Sequence, residues 1–260
     1  MKKILLVEGN LKEANQEFTE NGIKTHTESL KESISYYTNN LEIDSVNPSS
    51  DKDIFDKVKD LNKYEGLIWG GSSLNIYSDT KEIRKQIEFM KECQKRIKNI
   101  LAICWGMQVA VTAAGGVVNR GKNGAHRGIA HEIIINSVGL NHPIYKDKDK
   151  IFNTPAFNYD EVVTLPKNAI LLSSNKVNNV MALNFETEFS KIWGIQYHPE
   201  ITYEKMITLI KFRRKRLLEN KSFLDEKDLE SHITMIENED KITKKESRMR
   251  ELKNWLDLIA

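Results

Sequence analysis

The sequence predicts an α/β fold, a three-layer sandwich with a mostly parallel central sheet and a helical C-terminal extension. Two observations carry this expectation. Through residue 114, short apolar runs alternate with segments of helical apolar spacing, which implies parallel strands covered by helices on both faces. Beyond Glu200 the pattern turns helical and then strongly charged.

Residues 4–7 read as the first strand, 27–39 as a helix, and 43–46 as a second strand that ends before Pro48. Residues 51–62 follow as a helix, with Ile54, Phe55, Val58 and Leu61 at helical spacing. A third strand at 67–69 runs into Gly70-Gly71, and a helix over 80–98 places Ile83, Ile87 and Met90 on one face. The fourth strand, 100–103, is followed by a helix over 105–114 that begins directly after Cys104. Between 116 and 197 the runs 129–136, 161–165, 170–173, 180–185 and 192–197 are strand-like and separated by turn residues, which predicts a mixed or antiparallel extension of the same sheet. Tyr203, Met206, Ile207 and Ile210 then share a helix face. Residues 1–212 are expected to form one domain and 213–260 a charged helical extension. Phe223, Leu229, Ile233 and Trp255 are the extension's candidates for docking on the domain or meeting a partner.

Composition narrows the function. With 39 basic and 37 acidic residues the charge is balanced, so no polyanionic partner is implied. The basic run Lys211-Phe212-Arg213-Arg214-Lys215-Arg216 reads as a solvated helix face, because Glu219, Asp225 and Glu226 follow it, and nucleic-acid binding is not expected. No apolar stretch approaches the roughly 20 residues of a membrane span, and the N-terminal apolar run is too short for a signal peptide. The two cysteines, Cys93 and Cys104, give no disulfide framework, and without a Cys-x-x-Cys pair no metal site is expected. These features fit a reducing cytoplasm. Cys93 lies in a charged helical run and receives no role.

Cys104 sits between a strand and a helix whose first turn contains Gly106. A nucleophile on such a turn is lifted clear of the sheet, and the unpaired N–H groups of the helix N-terminus favour a thiolate. The turn alone fits a buried, inert cysteine equally well. A second feature separates the two readings. The strand at 192–197 runs into His198-Pro199-Glu200, where residues two apart in an extended segment point the same way. Pro199 disfavours helix at His198. A cysteine nucleophile needs such a base, and the base an orienting acceptor. The third feature is Gly70-Gly71, whose backbone could approach a substrate carbonyl as an oxyanion hole requires.

In this order the three parts resemble the class I (triad) glutamine amidotransferases. The family's Gly-x-Cys-x-Gly-x-Gln appears as Ala102-Ile103-Cys104-Trp105-Gly106-Met107-Gln108, with alanine for the first glycine. Its Gln-x-His-Pro-Glu is intact as Gln196-Tyr197-His198-Pro199-Glu200, and its Gly-Gly-Pro appears as Gly70-Gly71-Ser72. Within the family, residues 71–77 and 155–162 are most similar to stand-alone proteins akin to the amidotransferase part of GMP synthetase. Asn158 stands where many of those relatives have histidine, and His142-Pro143 echoes a family His-Pro read as structural.

The resemblance implies a flavodoxin-like fold, no cofactor, and attack by Cys104 on the side-chain amide of glutamine. His198 would serve as base and acid and Glu200 as its holder. Backbone N–H groups of Gly71 and Trp105 would form the oxyanion hole, while Gly70 and Gln108 would bind substrate. No phosphate-binding loop and no room for a synthetase domain follow, so an ammonia acceptor would be activated by a separate synthetase. The same triad would serve a γ-glutamyl hydrolase or peptidase releasing a larger amine. A non-catalytic interaction protein using the basic run and charged tail is the alternative from another class.

Overall fold

A computed structural model describes residues 2–259, apart from the side chains of Lys57 and Val58. The first half follows the alternation read from the sequence. The strands are β1 (Lys2–Val7), β2 (Leu41–Val46), β3 (Gly66–Trp69) and β4 (Asn99–Ile103), and the helices are α1 (Lys12–Glu20), α2 (His26–Tyr37), α3 (Lys81–Arg96) and α4 (Trp105–Ala113). Helix α1 went unread because it is polar and buries only Phe18. The helix expected over 51–62 is instead a set of turns and a 3-10 helix, Asp56–Lys63. Of its expected apolar face, Ile54 and Leu61 are buried while Phe55 is exposed, and the side chain of Val58 lies outside the described residues. Two anchors seven apart secure a loop against the sheet without requiring a regular helix.

The second half adds β5 (Val117–Arg120), β6 (His126–Arg127), β7 (Ala130–Ile135), β8 (Ile151–Thr154), β9 (Phe157–Asn158), β10 (Asp160–Thr164), β11 (Ile170–Ser174), β12 (Ala182–Glu186) and β13 (Lys191–Ile195). Nine strands form one sheet in the order β2-β1-β3-β4-β13-β12-β11-β7-β8. It is parallel from β2 to β13 and antiparallel beyond. The expected strand at 161–165 does not join this sheet: β10 pairs with β5, and β9 with β6, as two small antiparallel ribbons.

One face of the sheet packs Leu5, Leu67, Ile100 and Ala102 against α3 and α4 through Ile83, Phe89, Met90 and Val109. The other packs Ile4, Leu6, Ile68 and Leu101 against Leu30 and Ile34 of α2. That layer is completed from the far end of the chain. After α5 (Tyr203–Phe212) come α6 (Arg214–Glu219), α7 (Glu226–Ile242), α8 (Lys245–Arg248) and α9 (Arg250–Ile259). Helix α9 contributes Leu252, Trp255, Leu256 and Ile259 to the same core as α2, while α7 packs Leu229, Ile233 and Ile236 on Tyr203, Ile207 and Ile210 of α5. Among the described residues no helix is long and apolar enough to cross a membrane.

Candidate active site

The adjacent parallel strands β3, β4 and β13 end at the same edge of the sheet, with Ala102 level with both Trp69 and Gly194. Crevices beyond the carboxyl ends of parallel strands are the usual ligand sites of such sheets. The three segments singled out in the sequence emerge here together.

Cys104 links β4 to α4 with φ 53° and ψ −104°, a conformation that L residues rarely adopt. Such a residue costs on the order of 1–3 kcal/mol and persists only where its surroundings hold it. Here the Cys104 N–H donates to the Ile195 carbonyl at 2.7 Å, and the Gly106 N–H to the Gly70 carbonyl at 3.1 Å. Gly106 must lack a side chain, because a Cβ there would lie 2.3 Å from the Trp69 carbonyl oxygen. The turn thereby ties β4 to both neighbouring strands.

His198, just past β13, has one ring nitrogen, Nδ1, 2.7 Å from Glu200 Oε1, and Cys104 is close enough to act on its charge. All three residues are buried. Burial pulls the imidazole down, but the Glu200 carboxylate and the Cys104 sulfur outweigh it and hold His198 at about 10. Burial would raise Glu200, yet the charge and hydrogen bond of His198, with His26 beside them, keep it below the usual carboxylate range.

Gly70 and Gly71 follow β3 into this space. A Cβ at Gly71 would lie 2.8 Å from His198 Cε1, so only glycine lets this backbone approach the imidazole. Trp105 opens α4, and its indole Nε1–H donates to Gln86 Oε1 at 2.7 Å, while Gln86 Nε2 donates to the Gly9 carbonyl at 2.9 Å. Gln108 lines the same cleft as Cys104, together with Ser72, Asn158, Asp160, Arg213 and Arg216. Every residue expected at the site from sequence is therefore brought to one place.

Several side-chain contacts were not foreseen. Gln196 donates through Nε2 to the Cys104 sulfur at 3.4 Å and accepts from Gln108 Nε2 at 3.3 Å. Its position two before His198 on an extended strand was the available signal. Asn158, the departure from histidine, accepts from His126 Nδ1 at 2.8 Å and donates to the Asp160 carbonyl at 2.9 Å. The basic run is not one solvated face. The helix breaks at Arg213, which donates to Ser73 Oγ at 2.8 Å and lies 4.9 Å from the Phe157 ring centre. Burial, with Arg216 adding to it, pulls the Arg213 guanidinium down to about 10. Nothing in the local pattern distinguished Arg213 from its neighbours.

Among the described residues, His26, His198 and Glu200 are close enough to share an ion. The 2.7 Å contact between His198 and Glu200 fills the position a metal would need, since two ligand atoms at ~2 Å from a tetrahedral ion stand more than 3 Å apart.

Residues 23–214 match the family described as glutamine amidotransferase class-I. A γ-glutamyl-L-1-hydroxyisopropylamide hydrolase from Pseudomonas is 30% identical over 166 residues, 63% of this chain and 56% of that protein. A glutamine-hydrolysing GMP synthase from Thermotoga maritima is 28% identical over 170 residues, 64% of this chain and 30% of that enzyme. The chain thus spans little more than half of the first relative and less than a third of the second. The crystal structure of a glutamine amidotransferase from Thermotoga maritima superposes with a TM-score of 0.67 at 19% identity, covering 99% of this chain and 97% of the other.

Proposed function

Because the chain belongs to the class I glutamine amidotransferase family, we propose that it hydrolyses a γ-glutamyl amide through a thioester at Cys104. One observation carries this reading: a cysteine held in a strained strand-to-helix turn, beside an imidazole that is itself bound to a buried carboxylate at 2.7 Å.

The Cys104 sulfur attacks the γ-carbonyl carbon while His198 holds the thiol proton, with Glu200 fixing the imidazole. The carbonyl oxygen gains negative charge and takes hydrogen bonds from the backbone N–H groups of Gly71 and Trp105. One such donor contributes on the order of 3 kcal/mol to barrier lowering. The C–N bond breaks as His198 passes its proton to the departing nitrogen. Water, losing a proton to His198, then attacks the thioester, and glutamate leaves as the thiol re-forms. Gly70 and Gln108 frame the glutamyl group. The cleft is lined by Asp160 as well as Arg213 and Arg216, both charge signs that the ammonium and carboxylate of the glutamyl α-carbon call for.

Glutamine is the first substrate this reading assigns, with ammonia released and passed to a separate synthetase. Residues 1–212 would be the hydrolytic domain and 213–260 its extension. A larger γ-glutamyl amide is the second, favoured by the substrate named for the Pseudomonas relative. Purified protein would be incubated with glutamine, γ-glutamyl isopropylamide and γ-glutamyl dipeptides, with Cys104→Ala as the blank. Glutamate release from at least one, absent in the blank, is expected; release from none would sink the proposal.

A further inference from the structure

We infer that His26 is a positioning residue for the Cys104–His198 pair, its imidazole lying flat against the His198 ring and walling off Glu200. The inference rests on the reading of Cys104 and His198 given above.

The two rings stand 5.4 Å apart between centres with 23° between their planes. His26 Nδ1 lies 3.9 Å from Glu200 Oε1, the same oxygen that faces His198 Nδ1 at 2.7 Å. At that distance His26 does not take the carboxylate from His198; it flanks the oxygen that His198 holds. Neither His26 Nδ1 nor Glu200 Oε2 has a hydrogen-bond partner of its own. Both rings also meet over the same glycine, since a Cβ at Gly71 would lie 2.5 Å from His26 Cε1 and 2.8 Å from His198 Cε1. His26 therefore sits between the carboxylate and the backbone proposed to bind the oxyanion.

The fold fixes this ring from both sides. His26 is the first residue of α2, behind a reciprocal cap in which Thr25 and Glu28 satisfy each other's backbone N–H groups. The next residue, Thr27, donates through its N–H at 3.1 Å and its hydroxyl at 2.9 Å to Glu8 Oε2, a buried carboxylate just past β1. Two such anchors leave the imidazole little freedom.

An imidazole bonded at one nitrogen and facing a sulfur with the other can still tilt about that axis. A flat neighbour removes the tilt. The neighbour must be uncharged, because a second cation would compete for Glu200 and repel His198. Burial provides this, pulling His26 below the ordinary histidine range against Glu200 and Glu8, which favour its charge. The other charged groups near Glu200 are Lys205 of α5 and Arg248 of α8.

The first readout needs no substrate. The rate of Cys104 alkylation by iodoacetamide, read by peptide mass, would be followed from pH 5 to 10 in the wild type, His26→Ala, His26→Phe and His26→Leu. Kinetics on whichever γ-glutamyl amide turns over would be measured alongside. His26→Ala is expected to slow alkylation at pH 7 and lower kcat by about tenfold, with KM within about twofold. His26→Phe, which keeps a flat uncharged face, should recover to within about threefold. Should the alanine variant fail to fold, His26→Leu replaces it, filling the space without a flat face, with the same expected deficit. An alanine or leucine variant with the wild-type alkylation profile and kcat overturns the role of His26 alone. A wild-type Cys104 that neither alkylates readily nor releases glutamate overturns the reading of the nucleophile, and His26 with it.

Discussion

Lys148→Met should unfold this protein far more readily than a typical substitution of a lysine, because this lysine is not at the surface. Its side chain is 1% exposed and that of Glu251 is 0% exposed, with Nζ to Oε1 at 3.1 Å. Lys148 also donates to the Ser247 carbonyl at 2.7 Å. Tyr197, the residue before His198, donates its hydroxyl to Glu251 Oε1 at 2.8 Å and meets the Tyr145 hydroxyl at 2.9 Å. Burial pulls the Lys148 ammonium down while Glu251 holds it up. Removing the ammonium leaves a carboxylate inside the protein with the Tyr197 hydroxyl as its remaining side-chain donor. Breaking a buried pair from one side costs about 3–5 kcal/mol, and at about 2–4 °C per kcal/mol for a chain of this size the melting temperature should fall by about 10 °C. In the double variant Lys148→Met/Glu251→Gln no charge is stranded, so its loss should be smaller than the sum of the two single losses by about 2 kcal/mol. Urea unfolding of all four proteins, followed by tryptophan fluorescence, reads both quantities. A single-variant loss below about 1 kcal/mol, or strict additivity, would show the carboxylate solvated and refute the reasoning.

Gly71→Ala should lower glutamate release by about 100-fold, because its Cβ, 2.8 Å from His198 Cε1, must push the imidazole aside; activity within threefold of wild type would contradict this. Gln86→Leu strands the buried Trp105 Nε1–H and the Gly9 carbonyl, and thermal unfolding should register a loss of about 1–3 kcal/mol. His126 supplies a pH dependence. Burial lowers its imidazole to about 4 against Asn158 and Asn175, which favour the charged form. The unfolded chain therefore binds this proton first, so the contribution to stability is complete above pH 6.5 and disappears as pH falls from there through 4. The window corresponds to about 3 kcal/mol. His126→Gln should flatten the stability profile between pH 6.5 and 4, and an unchanged slope would assign the dependence elsewhere.

The features read from the sequence are those whose parts lie close along the chain. His198 and Glu200 are two apart on an extended segment, and Cys104 adjoins its own helix. The spacing therefore fixes the geometry locally. The parallel pairing of β1 to β4 followed from the strand–helix alternation, because each crossover carries a helical or turn segment back to the next strand. What escaped was assembled across the chain. Arg213 reaches Ser73 from 140 residues away, and His26 reaches His198 from α2. The ribbons of β5 with β10 and β6 with β9 carry the same alternation as sheet strands, and alternation states that a strand is half buried without naming its partner. The segment at 51–62 failed for the opposite reason: its apolar spacing was helical, but Phe55 faces solvent.

The chain beyond α5 bears on the same edge of the sheet. Arg248 of α8 donates from Nη1 to the Pro199 carbonyl and, at 2.8 Å, to the Ile201 carbonyl, which flank Glu200. Glu251 of α9 takes the Tyr197 hydroxyl one residue before His198. The backbone on both sides of the His-Pro-Glu turn is therefore tied to the C-terminal helices, while the side chains of His198 and Glu200 face α2 and the Cys104 turn. Acyl transfer needs a frame stiff to fractions of an ångström, and three parallel strands supply it from one direction only. Helices α8 and α9 supply the other. Their charged sequence disguises this role, because the groups that do the bracing are themselves a buried arginine, a buried glutamate and the lysine that neutralises it.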